Sequence, residues 1–320
     1  MKIFSPKAIK ATALLLFVSM FSLSVSAQIK LRKALDFDND GKADYVIFRP
    51  SDSVWYVLKS SGGSQSQAWG LPTDDYLTPG DYDGDGKADY AVWRRTDGFF
   101  YWINSSNSTV TTIQWGIDGD EPVARDYDGD GKTDPTQVRR QNGNMYWYVL
   151  GSAGLQQFYT WGITSDFVAP GDYDGDGKFD PAVERCFEND PSRTCEWYVL
   201  KSTGGMILDY WGILEDIVVP GDYDGDGKTD IAVTRGGPNP TSGVIWFIKP
   251  SSGASSYAVE WGVTATDFTV QNDYDGDGKT DIAMWRESTG EFYVVKSTGG
   301  TGYALWGIPG DFPVAGYDSH

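Results

Sequence analysis

Short runs of aromatic and β-branched residues alternate with polar links along most of this chain. In one representative stretch the apolar runs cover residues 76–78, 90–94, 100–103 and 112–115. Gly, Asp, Ser and Asn fill the links between these runs, at 81–89, 96–98 and 104–108. Aromatic and β-branched runs bounded by turn-forming residues predict four short β-strands. No stretch after residue 27 has the period of an amphipathic helix.

The same order of runs and links recurs six times, which indicates a repeat architecture. A single unit of four short antiparallel strands cannot bury both of its faces without neighbours, so the pattern favours a β-propeller over a sandwich. We therefore predict an all-β fold, a six-bladed β-propeller of four-stranded antiparallel blades forming one domain over residues 28–320. The repeats run at about 36–80, 81–125, 126–171, 172–221, 222–272 and 273–318.

The two ends of the repeat region predict how the ring closes. Residues 311–318 match the segment that leads into the acidic stretches elsewhere, such as 216–222, whereas the first repeat is preceded only by 31–35. We expect 312–317 to supply the innermost strand of the first blade. The alternative is an incomplete seven-bladed propeller.

Each repeat contains the nine-residue string Asp-x-Asp-x-Asp-Gly-Lys-x-Asp, and these strings explain the acidity of the chain. The formal charge is −19, and four carboxylates in each of six strings account for 24 of the 45 acidic residues. At about 4 Å such carboxylates repel by roughly 1 kcal/mol per pair in water, so a cation is expected among them. The basic residues form no cluster or stripe, so nucleic acid is not an expected partner.

The donors in each string are hard oxygens, a set that favours Ca²⁺ over transition metals and over Mg²⁺. The side chains at positions 1, 3, 5 and 9 and the carbonyl at position 7 can surround one ion, which predicts about six structural calcium sites. The predicted ligands are Asp36, Asp38, Asp40, Lys42 and Asp44; Asp81, Asp83, Asp85, Lys87 and Asp89; Asp126, Asp128, Asp130, Lys132 and Asp134; Asp172, Asp174, Asp176, Lys178 and Asp180; Asp222, Asp224, Asp226, Lys228 and Asp230; and Asp273, Asp275, Asp277, Lys279 and Asp281. An EF-hand is excluded because no Glu stands at position 12. Plain Asp-Gly turns are the alternative.

Residues 220–233, read as PGDYDGDGKTDIAV, resemble the FG-GAP/VCBS repeats of the integrin α propeller and of many exported bacterial proteins. The resemblance covers about 36–318 and implies calcium-binding loops within propeller blades. The chain departs from the integrin form, since Trp-Gly replaces Phe-Gly and pairs such as Trp93-Arg94 replace Gly-Ala-Pro. Integrin-like ligand binding is therefore not expected.

Two further residues recur in every repeat, a tryptophan followed by glycine and an arginine thirteen residues after the first loop aspartate. They are Trp69, Trp115, Trp161, Trp211, Trp261 and Trp306, and Arg49, Arg94, Arg139, Arg185, Arg235 and Arg286. One interpretation is six pockets between blades, in which tryptophan stacks on sugar rings and arginine binds hydroxyl or acidic groups. The other is packing, with each arginine stacked on aromatic rings or paired with the Asp five or six residues after each Trp.

The first 27 residues predict export. Lys2, Lys7 and Lys10 precede an apolar run, and Val25-Ser26-Ala27 offers a small-residue cleavage site, as in a secretory signal peptide. An uncleaved anchor is the alternative; after cleavage no stable membrane insertion is expected. In an exported chain, Cys186 and Cys195 favour a disulfide, and a zinc site there would lack further ligands. At a secreted, periplasmic or cell-surface location, the calcium concentration is also close to the dissociation constants of extracellular calcium-binding modules.

The residue types limit the chemistry. His320 is the single histidine, which argues against histidine-based triads and zinc hydrolysis. A glycosidase or calcium-assisted polysaccharide lyase stays open, yet the repeats differ only at the 186–195 loop and the 236–242 insertion, and neither gathers convergent acids and bases. We expect a non-catalytic, calcium-stabilised module that binds glycan or protein at a cell surface or in the matrix. A multivalent lectin and a polysaccharide-degrading enzyme are the alternatives.

Overall fold

The computed structural model describes residues 35–187 and 194–315, and within them the chain forms 24 β-strands and no helix. Blade 1 contains β1 (Tyr45–Arg49), β2 (Val54–Leu58) and β3 (Ser64–Ala68), and blade 2 contains β4 (Asp75–Leu77), β5 (Tyr90–Arg94), β6 (Phe99–Ile103) and β7 (Val110–Gln114). Blade 3 contains β8 (Asp120–Pro122), β9 (Thr136–Gln141), β10 (Asn144–Leu150) and β11 (Gln156–Ile163), and blade 4 contains β12 (Phe167–Val168), β13 (Ala182–Arg185), β14 (Thr194–Leu200) and β15 (Met206–Ile213). Blade 5 contains β16 (Ile217–Val218), β17 (Ile231–Gly236), β18 (Gly243–Lys249) and β19 (Tyr257–Val263), and blade 6 contains β20 (Asp267–Thr269), β21 (Ile282–Arg286), β22 (Glu291–Val295) and β23 (Thr301–Leu305). The last strand, β24 (Phe312–Pro313), belongs to blade 1.

The strands form six separate antiparallel sheets of four, each ordered from the innermost strand outwards, as in β4-β5-β6-β7. The prediction of a six-bladed propeller is therefore confirmed. In blade 2 the predicted fourth strand, 112–115, lies one or two residues too far along the chain, because β7 covers Val110–Gln114. The bounds of β7 are set by its pairing with β6, from Val110 opposite Ile103 to Gln114 opposite Phe99. Beyond the strand, the backbone N–H of Trp115 donates to the carbonyl of Gly98, and its indole Nε1 donates to the carbonyl of Tyr148 in the next blade.

The ring closes in blade 1, where strand β24 pairs with β1 through Phe312 opposite Phe48 and Pro313 opposite Ile47. Val314 continues this pairing, since its N–H donates to the carbonyl of Val46. Leu35, from the other end of the described chain, accepts from the N–H of Asp44 at the place that Gly80 occupies in blade 2. The prediction of closure by the C-terminal strand is confirmed over the described residues, while the predicted part at 316–317 lies outside them.

A buried tryptophan stands at the centre of each blade, but two different strands supply it. We number the strands of each blade from 1, the innermost, to 4, the outermost. Strand 3 provides Trp55, Trp147, Trp197 and Trp246. Strand 2 provides Trp93 and Trp285, with Phe100 and Phe292 on the facing strand. In all six blades the indole Nε1 of this residue donates to the carbonyl of the recurrent Trp-Gly tryptophan at 2.9–3.2 Å. The six tryptophans are all fully buried, so a large ring can fill the centre of a blade from either strand.

The two faces of the ring are formed by different connections. The acidic strings and the turns between strands 3 and 4 lie on one face, which we call the loop face. The turns between strands 2 and 3 and the Trp-Gly connections to the next blade lie on the other, which we call the opposite face. Among the described residues, no helix offers an apolar stretch able to span a bilayer, and the predicted signal peptide at 1–27 lies outside them.

Candidate functional site

The first aspartate of each acidic loop is bound by the loop's own backbone. In blade 2, Asp81 accepts from the N–H of Gly84 at 2.6 Å and from the N–H of Gly86 at 2.9 Å. The bend needs a positive φ, which is 92° at Gly86, so glycine is required at position 6. The equivalent bond to position 6 is 2.8–3.0 Å long in the other five loops.

The ninth aspartate ties the loop to the turn between strands 3 and 4. In blade 2, Asp89 accepts from the N–H of Tyr82 at 2.8 Å and from the N–H of Ser105 at 2.7 Å. Asp89 is fully buried, and this burial raises the pKa of its carboxyl to about 6. The pKa is raised to about 6 or 7 in the same way at Asp44, Asp134, Asp180, Asp230 and Asp281. A nearby cation would offset the cost of keeping these groups charged.

Serine and threonine side chains of the same turn contact the remaining loop carboxylates. Ser105 Oγ donates to Asp85 at 2.8 Å, and Ser106 Oγ donates to Asp83 at 2.6 Å. In all six blades, the backbone N–H of the first serine of this turn donates to the ninth aspartate of the loop; these serines are Ser60, Ser105, Ser152, Ser202, Ser251 and Ser297. None of these serines and threonines was predicted from the sequence. The sequence pattern that could have identified them is the serine, or serine followed by threonine, that recurs after strand 3. Its distance from the acidic string varies with the length of the hairpin, which obscures the repeat.

Carboxylate oxygens converge in these loops as a cation site requires. In the first two loops, oxygens of the aspartates at positions 1, 3 and 5 lie within 4.8 Å of one another, and in the next two, oxygens at positions 1, 3 and 9 do so. Two position-3 oxygens, Asp38 Oδ1 and Asp174 Oδ1, are buried without a hydrogen-bond partner. Because a buried acceptor rarely stays unpartnered, these atoms fit a bound cation. The oxygen-only donor set suits Ca²⁺, and the identity of the ion and its ligands stays a prediction.

The six loops also bind one another. The backbone N–H at position 8 of each loop donates to the carbonyl at position 1 of the preceding loop, at 2.6–2.8 Å, and Ala43 completes the circle by donating to Asp273. The position-7 lysines add packing, as where the Lys132 side chain lies over Gly84 of the preceding loop. Ordering one loop therefore supports both of its neighbours.

Each recurrent Trp-Gly tryptophan connects one blade to the next. Its indole Nε1 donates to a strand-3 carbonyl of the following blade at 2.9–3.4 Å in all six blades. Trp306 makes this bond to Tyr56 and so links the last blade to the first. All six tryptophans are partly exposed.

Each recurrent arginine forms a two-pronged ion pair with an aspartate at the start of strand 1 in its own blade. The Nε and Nη2 to carboxylate distances are 2.6–3.0 Å, for Arg49–Asp311, Arg94–Asp75, Arg139–Asp120, Arg185–Asp166, Arg235–Asp216 and Arg286–Asp267. The guanidinium also lies 4.4–4.7 Å above a strand-3 aromatic ring. The aspartate hydrogen bond raises the pKa of each arginine. These contacts match the packing interpretation, and a ligand-binding role for the twelve residues stays a prediction.

The opposite face is divided into two halves. Strand 3 has five residues in blades 6, 1 and 2 and seven in blades 3, 4 and 5, which we call the short-hairpin and long-hairpin halves. The residue after Trp-Gly is about half exposed in the first half, at Leu71, Ile117 and Ile308. The equivalent Ile163, Ile213 and Val263 lie within longer fourth strands and are more buried.

The long-hairpin half also contains both irregular segments. Cys186 and Cys195 form a disulfide in blade 4, as predicted. The insertion at 236–242 in blade 5 contains no ionisable side chain. The disulfide leaves these two cysteines no free thiolate for a zinc ion.

Comparison with known proteins adds to this description. Residues 36–92 match the model of an FG-GAP-like repeat, and residues 216–248 match that of the FG-GAP repeat. No curated protein matches the sequence. Among solved structures, AofleA from Arthrobotrys oligospora has a TM-score of 0.50 at 10% identity, over 90% of each chain. Streptogramin B lyase has a TM-score of 0.48 at 9% identity, over 83% of this chain and 84% of its own. At such identities the likeness concerns the fold alone.

Proposed function

The chain is an FG-GAP-like repeat β-propeller, and from that premise we propose that it is an exported, calcium-stabilised module that binds a protein partner. The calcium part of the proposal rests on the six oxygen-only loops and on the buried, unpartnered oxygens of Asp38 and Asp174. Bound cations would neutralise the carboxylates and hold each loop against its neighbour. In this proposal the metal stabilises the ring and takes no part in a reaction.

The binding part rests chiefly on the exposed apolar side chains of the opposite face. Leu71, Ile117 and Ile308 are 47%, 54% and 50% exposed. Because blades 6, 1 and 2 are neighbours in the closed ring, these side chains belong to one side of the face. Apolar groups gathered on one side of a surface favour a protein partner.

The blade interfaces offer less to a sugar. The recurrent arginines already hold aspartates with both prongs, and each tryptophan Nε1 donates within the protein. A glycan would have to compete for these groups or stack on the exposed part of the indole alone. The insertion at 236–242 contains no ionisable side chain, which favours binding over catalysis there.

The test compares two triple variants of the mature chain in 1 mM calcium on arrays of extracellular-matrix proteins and of glycans. Leu71→Ser/Ile117→Ser/Ile308→Ser should abolish binding to a matrix protein. The control Leu155→Ser/Met206→Ser/Leu208→Ser alters equally exposed apolar residues at the outer edges of blades 3 and 4 and should leave binding unchanged. Binding to glycans alone, unchanged in both variants and lost in Trp115→Phe, would instead support the lectin alternative. Release of soluble sugars from polysaccharide would support an enzyme.

A further inference from the structure

Blade 4 differs from the others by a buried acid in its core. Glu184, in strand β13, is only 1% exposed. The equivalent place in the other blades, next before the recurrent arginine, holds Phe48, Trp93, Val138, Thr234 and Trp285. The packing of a blade therefore does not require a carboxyl group here. The acid occurs in the one blade that also has a disulfide.

The acid and the disulfide lie side by side. Strands β13 and β14 pair Arg185 with Glu196, so Cys186 and Cys195 face each other one step farther along the ladder. Residues 184 and 186 point to the same face because strand side chains alternate. A Glu184 carboxylate oxygen and both sulfur atoms lie within 4.8 Å of one another. Cys195 is fully buried, while Cys186 is partly exposed.

The environment of Glu184 favours its protonated form. Its Oε1 is buried and has no hydrogen-bond partner among the described residues. Burial and, to a lesser extent, the charge of Asp216 raise the pKa of this carboxyl to about 8. Asp216 is itself held by Arg235. Among the described residues, Tyr173 also lies near Glu184, and its hydroxyl donates to the carbonyl of Ala169. A proton is thus held beside the sulfurs at neutral pH.

We propose that Cys186–Cys195 is a redox-active disulfide and that Glu184 supplies the proton to the Cys195 sulfur when the bond opens. An external thiolate attacks Sγ of the more exposed Cys186, the S–S bond breaks, and its electron pair passes to Sγ of Cys195. The carboxyl proton of Glu184 moves to that sulfur, giving a thiol and a carboxylate. A second external thiolate then attacks the mixed disulfide and releases Cys186 as a thiolate, so two external thiolates are oxidised to their disulfide while the protein gains two electrons.

The proton matters because of where the leaving sulfur lies. A thiolate in apolar surroundings has a raised pKa, and a thiol of higher pKa leaves a disulfide more slowly. Protonation of Cys195 as it leaves avoids a buried thiolate. In the reverse direction, the Glu184 carboxylate would accept the proton from Cys195 when the disulfide forms again.

The test measures the rate of reduction by dithiothreitol between pH 6 and 9.5, divided by the thiolate fraction of the reagent. In the native chain this corrected rate should be constant below about pH 8 and fall above it as Glu184 loses its proton. Glu184→Gln should be slower by at least about tenfold below pH 8 and independent of pH. Glu184→Thr, which places the residue of blade 5 in blade 4, should behave in the same way. Tryptophan fluorescence shows whether each variant is folded, and the threonine variant takes the place of the glutamine variant if the latter folds poorly. Equal corrected rates for the native chain and a folded variant would overturn the proposal.

Discussion

The loop face and the opposite face differ in how strictly the repeat is kept. On the loop face, all six blades have the same nine-residue pattern and the same bond to the neighbouring loop. In all six, the N–H groups at positions 4 and 6 donate to the first aspartate. On the opposite face, strand 3 varies from five to seven residues, and blades 4 and 5 add a disulfide and an insertion. A closed ring needs equivalent contacts at every interface, whereas no such condition applies to the ends of the hairpins. We infer that stability depends mainly on the loop face and that specificity lies on the opposite face.

The strongest test of this comparison is removal of the calcium that we propose for the loop face. If each site binds at about 0.1 mM, then 1 mM calcium adds roughly 1.4 kcal/mol per site and about 8 kcal/mol over six independent sites. Chelation should lower the free energy of urea unfolding by an amount of this order, measured by tryptophan fluorescence with and without a calcium chelator. Magnesium should restore little of it. Equal unfolding midpoints in both conditions would remove the stabilising role from the loop face.

The next largest effect is expected from Glu184, within the long-hairpin half. Its folded pKa of about 8 lies above the ordinary glutamate value of 4.5, so the folded state holds the extra proton between these pH values. The free energy of unfolding therefore falls as pH rises from about 5 to 8, by about 3 kcal/mol or more. Glu184→Gln should remove this contribution, so urea unfolding at pH 5 and 8 should differ less in the variant. An identical pH dependence in both proteins would contradict burial of a protonated acid.

The arginine–aspartate pairs combine features of both faces. They are the same in every blade, as the acidic loops are, but they lie beside the variable connections of the opposite face. Arg139→Met would leave the Asp120 carboxylate, which is 1% exposed, without its charged partner. Because Arg139 itself is 25% exposed, the expected loss is about 2–3 kcal/mol rather than the full cost for a buried pair. Arg95→Met is the matched control, since its nearest ion pairs are 3.7 and 3.9 Å long. A similar loss in both variants, measured by urea unfolding, would show that the pairs add nothing specific.

The features that could be predicted from the sequence are the repeated ones, and those that could not be predicted depend on tertiary contacts. The blade count follows from the six acidic strings between Asp36 and Asp281, and the closing strand follows from the match between 311–318 and 216–222. Both could be predicted because these patterns are local and repeated. The bond from Ala88 to Asp36 could not be read in this way, since backbone groups carry no sequence signal. Nor could the place of Glu184 beside the disulfide be read, because the strand register that aligns them depends on tertiary pairing.

A single loop should matter much less than all six. Asp174→Asn weakens one ligand set, whose Oδ1 is buried without a partner, and should cost about 1–2 kcal/mol in calcium. Native mass spectrometry should then count one calcium ion fewer than in the unaltered chain. Asp118→Asn, at a side chain that is 75% exposed, is the control and should change neither quantity. Loss of all ions from Asp174→Asn would mean that the loops bind as one cooperative unit rather than as independent sites.

The smallest effect compares the two halves of the opposite face at one equivalent position. Ile117 is 54% exposed beside a short hairpin, whereas Ile163 lies within the longer strand β11 and is less exposed. Ile117→Ser should therefore change the free energy of unfolding by less than about 0.5 kcal/mol, and Ile163→Ser should lower it by about 1 kcal/mol. Urea unfolding in 1 mM calcium measures both. Equal costs would mean that the longer hairpins do not cover this position, and the exposed apolar side of the short-hairpin half would then lose its structural explanation.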